Sequence, residues 1–331
     1  MNTSHHTRQS RPPRLMALSE VLEVRAQPQR RAAPVAFTPV DFSRPFIPEH
    51  FTQLYHTPQY AGLNDRQRLR YNQLFGIKVN EQFMMFESDF TNQILKRLLT
   101  HPAVRSNPEL AVCMQGMIRE EEVHYEMFRA LNQRCLPQVY HRGDRYFTRL
   151  PAHERLALRA ATAFPRQLVF LLWFLISMEE YSIALSRAMV DHRCTDSLGE
   201  LEPNVVRVHR EHVKDESRHV HIDVHLIRAC VGRLTHTARR VNAWLLRRFM
   251  RDIVVPKRGG MAVLYHFLDE HPELAPRRKA LIASVRALGE DARFQRTLFN
   301  REMMPRTFAL LDEVPELAPV GHAIAGWSNE P

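Results

Sequence analysis

The chain has 331 residues, a net charge of +10, 44% hydrophobic residues and 25% charged residues. These proportions are those of an ordinary globular protein with a sizeable core. Only 11 residues are glycine, and a sheet-rich fold with many tight turns needs more, so the composition favours helices. The four cysteines form no CxxC pair, which excludes a disulfide framework of the usual spacing and predicts reduced thiols.

No apolar targeting segment stands at the N-terminus, which begins MNTSHHTRQSRPPR. The most apolar run, residues 168–178, is shorter than the roughly 20 residues that cross a bilayer. We therefore expect a cytoplasmic protein without a membrane segment. The excess of arginine could attract an acidic partner, but a solvated basic surface explains it equally well. Because no nucleic-acid-binding signature accompanies the charge, we expect neither nucleic acid nor membrane as a partner.

In chain order, residues 1–35 are rich in Arg, Pro, Ser and Gln and are predicted to be a disordered tail, in which the apolar patch LMALSEVLEV could form a helix or dock on another surface. The aromatic and proline pattern of residues 36–62 predicts an extended arm lying over a core. Residues 63–232 are predicted to form a helical bundle. Residues 233–331 are predicted to be a C-terminal helical extension packed on the same domain.

Four long helices are expected in the bundle, because hydrophobic residues recur with helical periodicity between clear start and stop signals. They run from Asn64 or Asp65 to Thr100, from Pro108 to Asn132, from Pro165 to Asp191, and from Asn204 to Val231. A short helix is expected near Pro151. The extension is predicted to contain helices at about 234–254, 259–270, 275–288 and 290–311.

The fourth predicted helix contains a convergent set of polar residues. His212, Glu216 and His219 are spaced by four and three residues, so their side chains lie on one helical face. Imidazole nitrogen and carboxylate oxygen both suit iron. This spacing therefore predicts a metal site facing the inside of the bundle.

The other three helices supply matching residues. Glu121 and His124 form a Glu-x-x-His pair on the second helix, while Glu87 and Glu179 lie on apolar faces of the first and third. Two Glu-x-x-His pairs plus one Glu from each remaining helix is the ligand pattern of carboxylate-bridged di-iron bundles. Glu81 could replace Glu87, and Glu180 could replace Glu179.

Simpler explanations exist for each motif taken alone. The chain has 18 histidines, and residues 120–122 are three consecutive glutamates, so a single Glu-x-x-His pair arises readily by chance as a surface ion pair. The ordered set on four helices is much harder to explain in that way. His209, His221 and His225 are expected at the surface or behind the ligands. Asp223 is expected either to accept the second N–H of His219 or to be solvated.

These residues resemble the p-aminobenzoate N-oxygenase family of ferritin-like di-iron enzymes. The resemblance covers about residues 64–232 and is most specific in the stretch HVKDESRH, where His212 adds a third histidine. It implies an all-α, ferritin-like four-helix bundle core with an N-terminal arm and additional C-terminal helices. It also implies two Fe ions, O₂ as co-substrate, an external electron donor, and oxygenation of an amine nitrogen. The implied iron ligands are Glu87, Glu121, His124, Glu179, His212, Glu216 and His219.

The substrate cannot be read from the sequence. A small aromatic amine and an aminoacyl group tethered to a carrier protein are both compatible with the resemblance, and the positive charge would suit an acidic carrier. A reductase is the expected electron donor, and a homodimer is the commonest assembly. Phe83, Phe86, Trp173 and Ile176 are expected near the ligands, where they would either line a substrate pocket or pack the core.

Three other functions remain open. The same scaffold could serve a different di-iron oxidase, such as a C–H hydroxylase, a desaturase or an oxidative decarboxylase, because fold does not fix function. It could also be a non-enzymatic iron-binding protein. A metal-free helical scaffold that binds nucleic acid or membrane through its basic surface is the third alternative.

Overall fold

The computed structural model describes residues 14–232, 234–253, 255–256 and 258–321. Within these ranges the chain is helical and contains no β-strand, only one isolated bridge between Cys194 and Glu200. The predicted all-α fold is confirmed. No helix in these ranges combines the length and the apolar composition that a bilayer crossing requires.

Four long helical elements form the bundle. The first consists of α2 (Asp65–Met85), a π-helical segment (Phe86–Thr91) and α3 (Asn92–Leu98). After the single-turn helix α4 (Pro102–Arg105), the second element is α5 (Pro108–Cys135). The third and fourth are α8 (Phe170–Asp191) and α9 (Pro203–Val231), which pack along each other, while α5 packs on both α2 and α9. Along the chain, α5 and α8 are separated by two shorter helices, α6 (Pro137–Tyr140) and α7 (Ala152–Ala163).

Side-chain caps fix where these elements begin. Asn64 accepts a hydrogen bond from the backbone N–H of Gln67 at 2.9 Å, and the Gln67 side-chain oxygen accepts one from the backbone N–H of Asn64, so the predicted start at this residue is confirmed. Asn107 caps α5 through the N–H of Leu110. Glu202 caps α9 through the N–H of Val205, which satisfies a donor that the helix itself cannot pair.

Two apolar clusters fill the bundle, and every long element contributes to both. One contains Ile94, Met117, Leu172 and Ile222 among its buried residues. The other contains residues from the opposite ends of the same elements, such as Phe83, Phe128, Leu185 and Val208. Between the two clusters, along each element, lies a layer of buried polar residues. Because buried charges need partners or a metal, this layer is the candidate functional site.

The first long element departs from the expected continuous α-helix. In the segment Phe86–Thr91 the hydrogen bonds widen, and the N–H of Asn92 bonds to the carbonyl of Glu87, five residues earlier. A π-turn inserts one extra residue into the helix and often marks a functional position. Hydrophobic periodicity does not reveal such a local change, so the sequence placed Glu87 on a regular helical face.

The N-terminal region contains a helix where a disordered tail was predicted, and this helix covers most of the apolar patch for which a helix was left open. Residues 1–13 lie outside the described ranges, but Leu18–Ala26 form helix α1, which packs on α5 and α9. Leu18 and Val21 are buried, and this burial offsets the entropic cost of ordering the segment. The arm over residues 36–62 follows, with 3₁₀ turns at Glu49–Phe51, Leu54–His56 and Tyr60–Gly62.

The C-terminal helices pack around this bundle. They are α10 (His236–Ile253), α11 (Arg258–Glu270), α12 (Arg278–Ala287), α13 (Ala292–Leu298), α14 (Pro305–Asp312) and α15 (Ala318–Gly321). The predicted single helix over 290–311 was wrong, because the chain breaks after Leu298. It restarts at Pro305, a residue that favours the first helical position. The expected loose tail beyond 321 lies outside the described residues.

Candidate metal centre

The buried polar layer contains two groups of four possible metal ligands. One group is Glu87, His124, His212 and Glu216, and the other is Glu121, Glu179, Glu216 and His219. Within each group, one ligand atom per residue lies within 4.8 Å of all the others. Every member is at most 3% exposed. The structure therefore brings together all seven residues that the sequence singled out.

The two alternative glutamates lie outside both groups. Glu81 accepts hydrogen bonds from the backbone N–H groups of Tyr146 (2.7 Å) and Thr148 (2.8 Å) and from the hydroxyl of Tyr140. Glu180 accepts the backbone N–H groups of Arg306 and Thr307 at the start of α14. Both carboxylates are thus occupied in holding other parts of the chain.

Glu216 belongs to both groups and lies at their centre. Its Oε1 atom is 3.2 Å from Nδ1 of His124, 3.2 Å from Nε2 of His212 and 3.3 Å from Nδ1 of His219. Imidazole nitrogens from two helices thus converge on one carboxylate oxygen. A carboxylate in this position could contact two cations at once.

Unpartnered atoms in the layer fit a cation. Buried oxygens of four glutamates make no hydrogen bond, namely Glu87 Oε2, Glu121 Oε1, Glu179 Oε1 and Glu216 Oε1, and neither does Nδ1 of His219, although Glu216 Oε1 and His219 Nδ1 lie 3.3 Å apart. Buried polar groups are nearly always paired, so a concentration of exceptions at one place requires an explanation. Divalent cations bound by these atoms would supply it, because oxygen and imidazole nitrogen are suitable ligands for iron.

The carboxylates of the layer do not titrate as ordinary glutamates. Burial raises the pKa of Glu87 to about 7, even though a hydrogen bond with His212 acts to lower it. Burial, followed by the charge of Glu216, holds the pKa of Glu179 well above its usual range. Burial also acts to raise the pKa of Glu216, but the charges of His212 and His219 and hydrogen bonds with Glu179 and His124 together outweigh it and hold this pKa well below the usual range.

Two of the imidazoles hold protons strongly. Burial acts to lower the pKa of His124 and of His219. The hydrogen bonds and charges of the surrounding carboxylates together outweigh burial, led by Asp215 for His124 and by Glu121 for His219, so that both pKa values lie well above the usual range. A metal ion bound here would displace these protons, because a ligating imidazole must be neutral on the bound nitrogen.

The outward nitrogens of the ligand histidines bond to a second set of residues. Nε2 of His124 lies 3.1 Å from Oδ2 of Asp215, and Nε2 of His219 lies 3.0 Å from Oε2 of Glu120. Nδ1 of His212 lies 3.2 Å from the hydroxyl oxygen of Ser186. Such partners fix the orientation of a ligating imidazole. The other ring nitrogen of each histidine therefore faces the centre of the layer.

Sequence reasoning missed these outer partners, and neither of the two placements that it gave for Asp223, as the partner of His219 or as a solvated acid, is found. Asp223 is fully buried, neither carboxylate oxygen has a hydrogen-bond partner, and burial raises its pKa well above the usual range. The usable signal was the acid preceding each Glu of a Glu-x-x-His pair: Glu120 before Glu121, and Asp215 before Glu216. Each of these acids points away from its own ligand face and bonds to the histidine of the opposite helix.

The remaining histidines of α9 are not at the surface, contrary to one of the two placements expected. His209 is fully buried with Nδ1 3.0 Å from the Ser186 hydroxyl, and burial holds its pKa well below the usual range. Nδ1 of His221 accepts the backbone N–H of Met16, while His225 bonds to the carbonyl of Met16. These two histidines therefore anchor the N-terminal segment.

Aromatic side chains enclose the third histidine of the set. Phe83 stacks on the His212 ring with centroids 5.4 Å apart, and Phe128 meets the same ring edge-on at 5.1 Å. Phe86, Trp173 and Ile176 are buried in the adjacent apolar cluster. Of the four apolar residues expected near the ligands, Phe83 thus packs directly on the ring of a candidate ligand and helps to keep water away from it.

Comparisons with known proteins agree with this geometry. A search of curated protein sequences found no significant match. The family model described as "P-aminobenzoate N-oxygenase AurF" matches residues 31–261, a range that includes the whole bundle and all seven clustered residues. Because this match covers more than half of the 331 residues, the chain belongs to the p-aminobenzoate N-oxygenase family of oxidoreductases.

Proposed function

We propose that the seven clustered residues bind two iron ions and that the protein uses O₂ to oxidise the nitrogen of an amine. The observation that carries this proposal is the pair of four-residue groups sharing Glu216, in a chain that belongs to an N-oxygenase family. By this assignment, Glu87, His124 and His212 would hold one ion. Glu121, Glu179 and His219 would hold the other, and Glu216 belongs to both groups.

When bound, the iron supplies the redox chemistry that activates O₂, for which amino-acid side chains have no equivalent. The chain supplies binding and orientation. Asp215, Glu120 and Ser186 hold the three imidazoles with their inward nitrogens towards the centre. Phe83 and Phe128 pack against His212 and keep bulk water out of the layer, which limits side reactions of a reactive oxidant.

The proposed substrate is a primary amine, either small and free or carried on an aminoacyl carrier protein. O₂ gives one oxygen atom to the nitrogen, which becomes a hydroxylamine. The other oxygen atom is reduced to water by electrons from an external donor, together with protons. Repeated turns would carry the product on to a nitroso or nitro compound.

The proposal is tested first by metal content. We expect about two irons per chain after anaerobic loading with ferrous iron, measured by elemental analysis, in keeping with the two ligand groups. The loaded protein is then given ¹⁸O₂, a chemical reductant, and a panel of anilines and aminoacyl thioesters. The expected product carries ¹⁸O on nitrogen, detected by mass spectrometry. The variant Glu216→Ala, loaded in the same way, is the inactive control.

Other outcomes would contradict the proposal in recognisable ways. A protein that binds no iron under these conditions has a different function. Label found on carbon, or a desaturated product, would indicate a different di-iron oxidase. Iron accumulating far beyond two per chain in a large assembly would indicate storage. Substrate tethering is tested separately, by comparing each aminoacyl thioester with its free amino acid.

A further inference from the structure

The N-terminal segment, defined here as residues 14–33, lies against the outer side of the metal centre. Its helix α1 contacts both α5 and α9, the two helices that carry the Glu-x-x-His pairs. The family match begins at residue 31, so α1 precedes the region shared with the family. The contacts of α1 therefore lie outside the range that the family model describes.

Arg25 of α1 reaches the partner of a ligand histidine. Its Nε donates a hydrogen bond to Oε1 of Glu120 at 2.7 Å, and the other carboxylate oxygen of Glu120 lies 3.0 Å from Nε2 of His219. The side chains of Arg25 and Glu120 are only 20% and 8% exposed. A charge-assisted hydrogen bond that is shielded from water in this way is stronger than one at the surface.

The glycine at position 116 of α5 makes room for this contact. A Cβ atom at Gly116 would lie 2.6 Å from Nε of Arg25 and 2.6 Å from its Cζ. Glycine within a helix is less stable than alanine by about 1 kcal/mol, so its presence in α5 is explained by the space that the guanidinium needs. Gly116 and Arg25 therefore fit each other, because the glycine leaves free the space that the guanidinium occupies.

A second part of the segment meets the opposite half of the centre. The backbone N–H of Ala32 lies 3.2 and 3.1 Å from the two carboxylate oxygens of Asp215, the residue that orients His124. Arg218 donates to the carbonyl of Arg30, to Asp215 and to Glu120. One fully buried guanidinium thereby links both outer acids to the segment.

We propose that the N-terminal segment is a working part of the metal centre and that Arg25 is a positioning residue for His219, acting through Glu120. This inference rests on the proposed binding of two iron ions. With Arg25 in place, Glu120 receives two guanidinium groups on one oxygen, which leaves its other oxygen directed at His219. Without Arg25, only Arg218 holds Glu120, water can reach the carboxylate, and the imidazole is less firmly oriented.

The experiment measures metal binding in the full-length protein by anaerobic titration with Co²⁺, followed by its visible ligand-field absorption. The variants are Arg25→Ala, Arg25→Lys and Gly116→Ala, and the matched control is Arg31→Ala, an exposed arginine of the same segment. We expect Arg25→Ala to weaken binding of one of the two ions by about 10–100-fold, the usual effect of losing an outer partner. Its cobalt spectrum should change as well.

The other two variants separate positioning from general structure. Arg25→Lys keeps a charged donor and should recover part of the lost affinity. Gly116→Ala keeps the arginine but displaces it from Glu120, and should reproduce the effect of Arg25→Ala even though alanine favours the helix. Circular dichroism should show unchanged helix content in all variants.

Three results would overturn the inference. Affinity and spectrum unchanged in Arg25→Ala would show that the contact does not act on the metals. If the control Arg31→Ala weakens metal binding equally, the effect comes from the loss of positive charge and not from the contact with Glu120. Loss of helix content together with both ions would mean that Arg25 merely holds the fold. A wild-type protein that binds neither Co²⁺ nor Fe²⁺ would instead refute the proposed function itself, and with it this inference.

Discussion

The two halves of the metal centre are alike in their supports and unlike in their donors. In each half, an acid on one helix holds the histidine of the opposite helix, Asp215 for His124 and Glu120 for His219. The first half offers two imidazoles with two carboxylates, while the second offers one imidazole with three carboxylates. The difference comes from His212, which has no counterpart in the second half.

Their surroundings differ as well. The nitrogen-rich half includes Glu87 in the π-turn, with Phe83 and Phe128 packed on His212. The carboxylate-rich half is supported from outside by Arg25 of the N-terminal segment. A repeated pattern thus supplies two similar candidate ion sites, and different neighbours on each side make them unlike. Each prediction below tests either the shared part or the difference.

The largest effect is expected from Glu216→Ala, because this carboxylate belongs to both groups. Both ions should be lost, whereas any other single ligand change should spare one of them. Iron content by elemental analysis measures the result. Glu122→Ala, an exposed glutamate next to a ligand, is the control. If Glu216→Ala still binds two irons tightly, Glu216 is not a ligand that both ions share.

His212→Ala should have the next largest effect and should be confined to the nitrogen-rich half. The loss of a direct ligand should weaken the binding of one ion by more than the ~10–100-fold typical of outer partners, and the other ion should stay bound. Co²⁺ titration should then show one tight step instead of two, with helix content preserved. If His212→Ala binds both ions and turns over as the wild type does, the third histidine has no role at the metals. The exposed His192 provides a histidine-to-alanine control.

Metal binding should release protons and weaken as the pH falls. The pKa values of His124 and His219 lie well above the usual range and that of Glu87 is about 7, so at neutral pH protons occupy atoms that a cation needs. The slope of log affinity against pH equals the number of protons released. Affinity should therefore rise with pH through the neutral range. A weakly buffered Fe²⁺ titration with an indicator dye measures the release. A pH-independent affinity would contradict the ligand assignment.

The smallest effect on the metals is expected from the glutamate that the sequence left as an alternative to Glu87. Glu81→Ala removes the acceptor of hydrogen bonds from Tyr140, Tyr146 and Thr148. The free energy of unfolding should fall by about 3 kcal/mol, because buried donors lose a charged partner. Iron content should remain unchanged in the protein that stays folded. A loss of iron without a loss of stability would reverse the choice between Glu81 and Glu87.

The sequence alone determined the fold class and the set of candidate ligands. Helical geometry is local, so the spacing of His212, Glu216 and His219 placed them on one face without knowledge of any partner helix. Glu121 and His124 followed from the same rule. The sequence did not decide which single glutamates are ligands, because a lone acid on an apolar face has several explanations. Only the hydrogen-bond partners of Glu81 and Glu180 in the structure separated these two residues from Glu87 and Glu179.

Only the tertiary structure decided what supports those ligands. The partners of Glu120, Asp215 and Arg25 lie about 90 or more residues away in the chain, and no local pattern encodes which distant side chain will meet which. The π-turn at Glu87 is seen only in the structure, because hydrophobic periodicity does not reveal it. The N-terminal segment, whose composition resembles that of a disordered tail, is ordered by contacts that exist only once α5 and α9 are in place. Spacing along a helix is a property of the sequence, whereas the choice of partner across the bundle is a property of the folded chain.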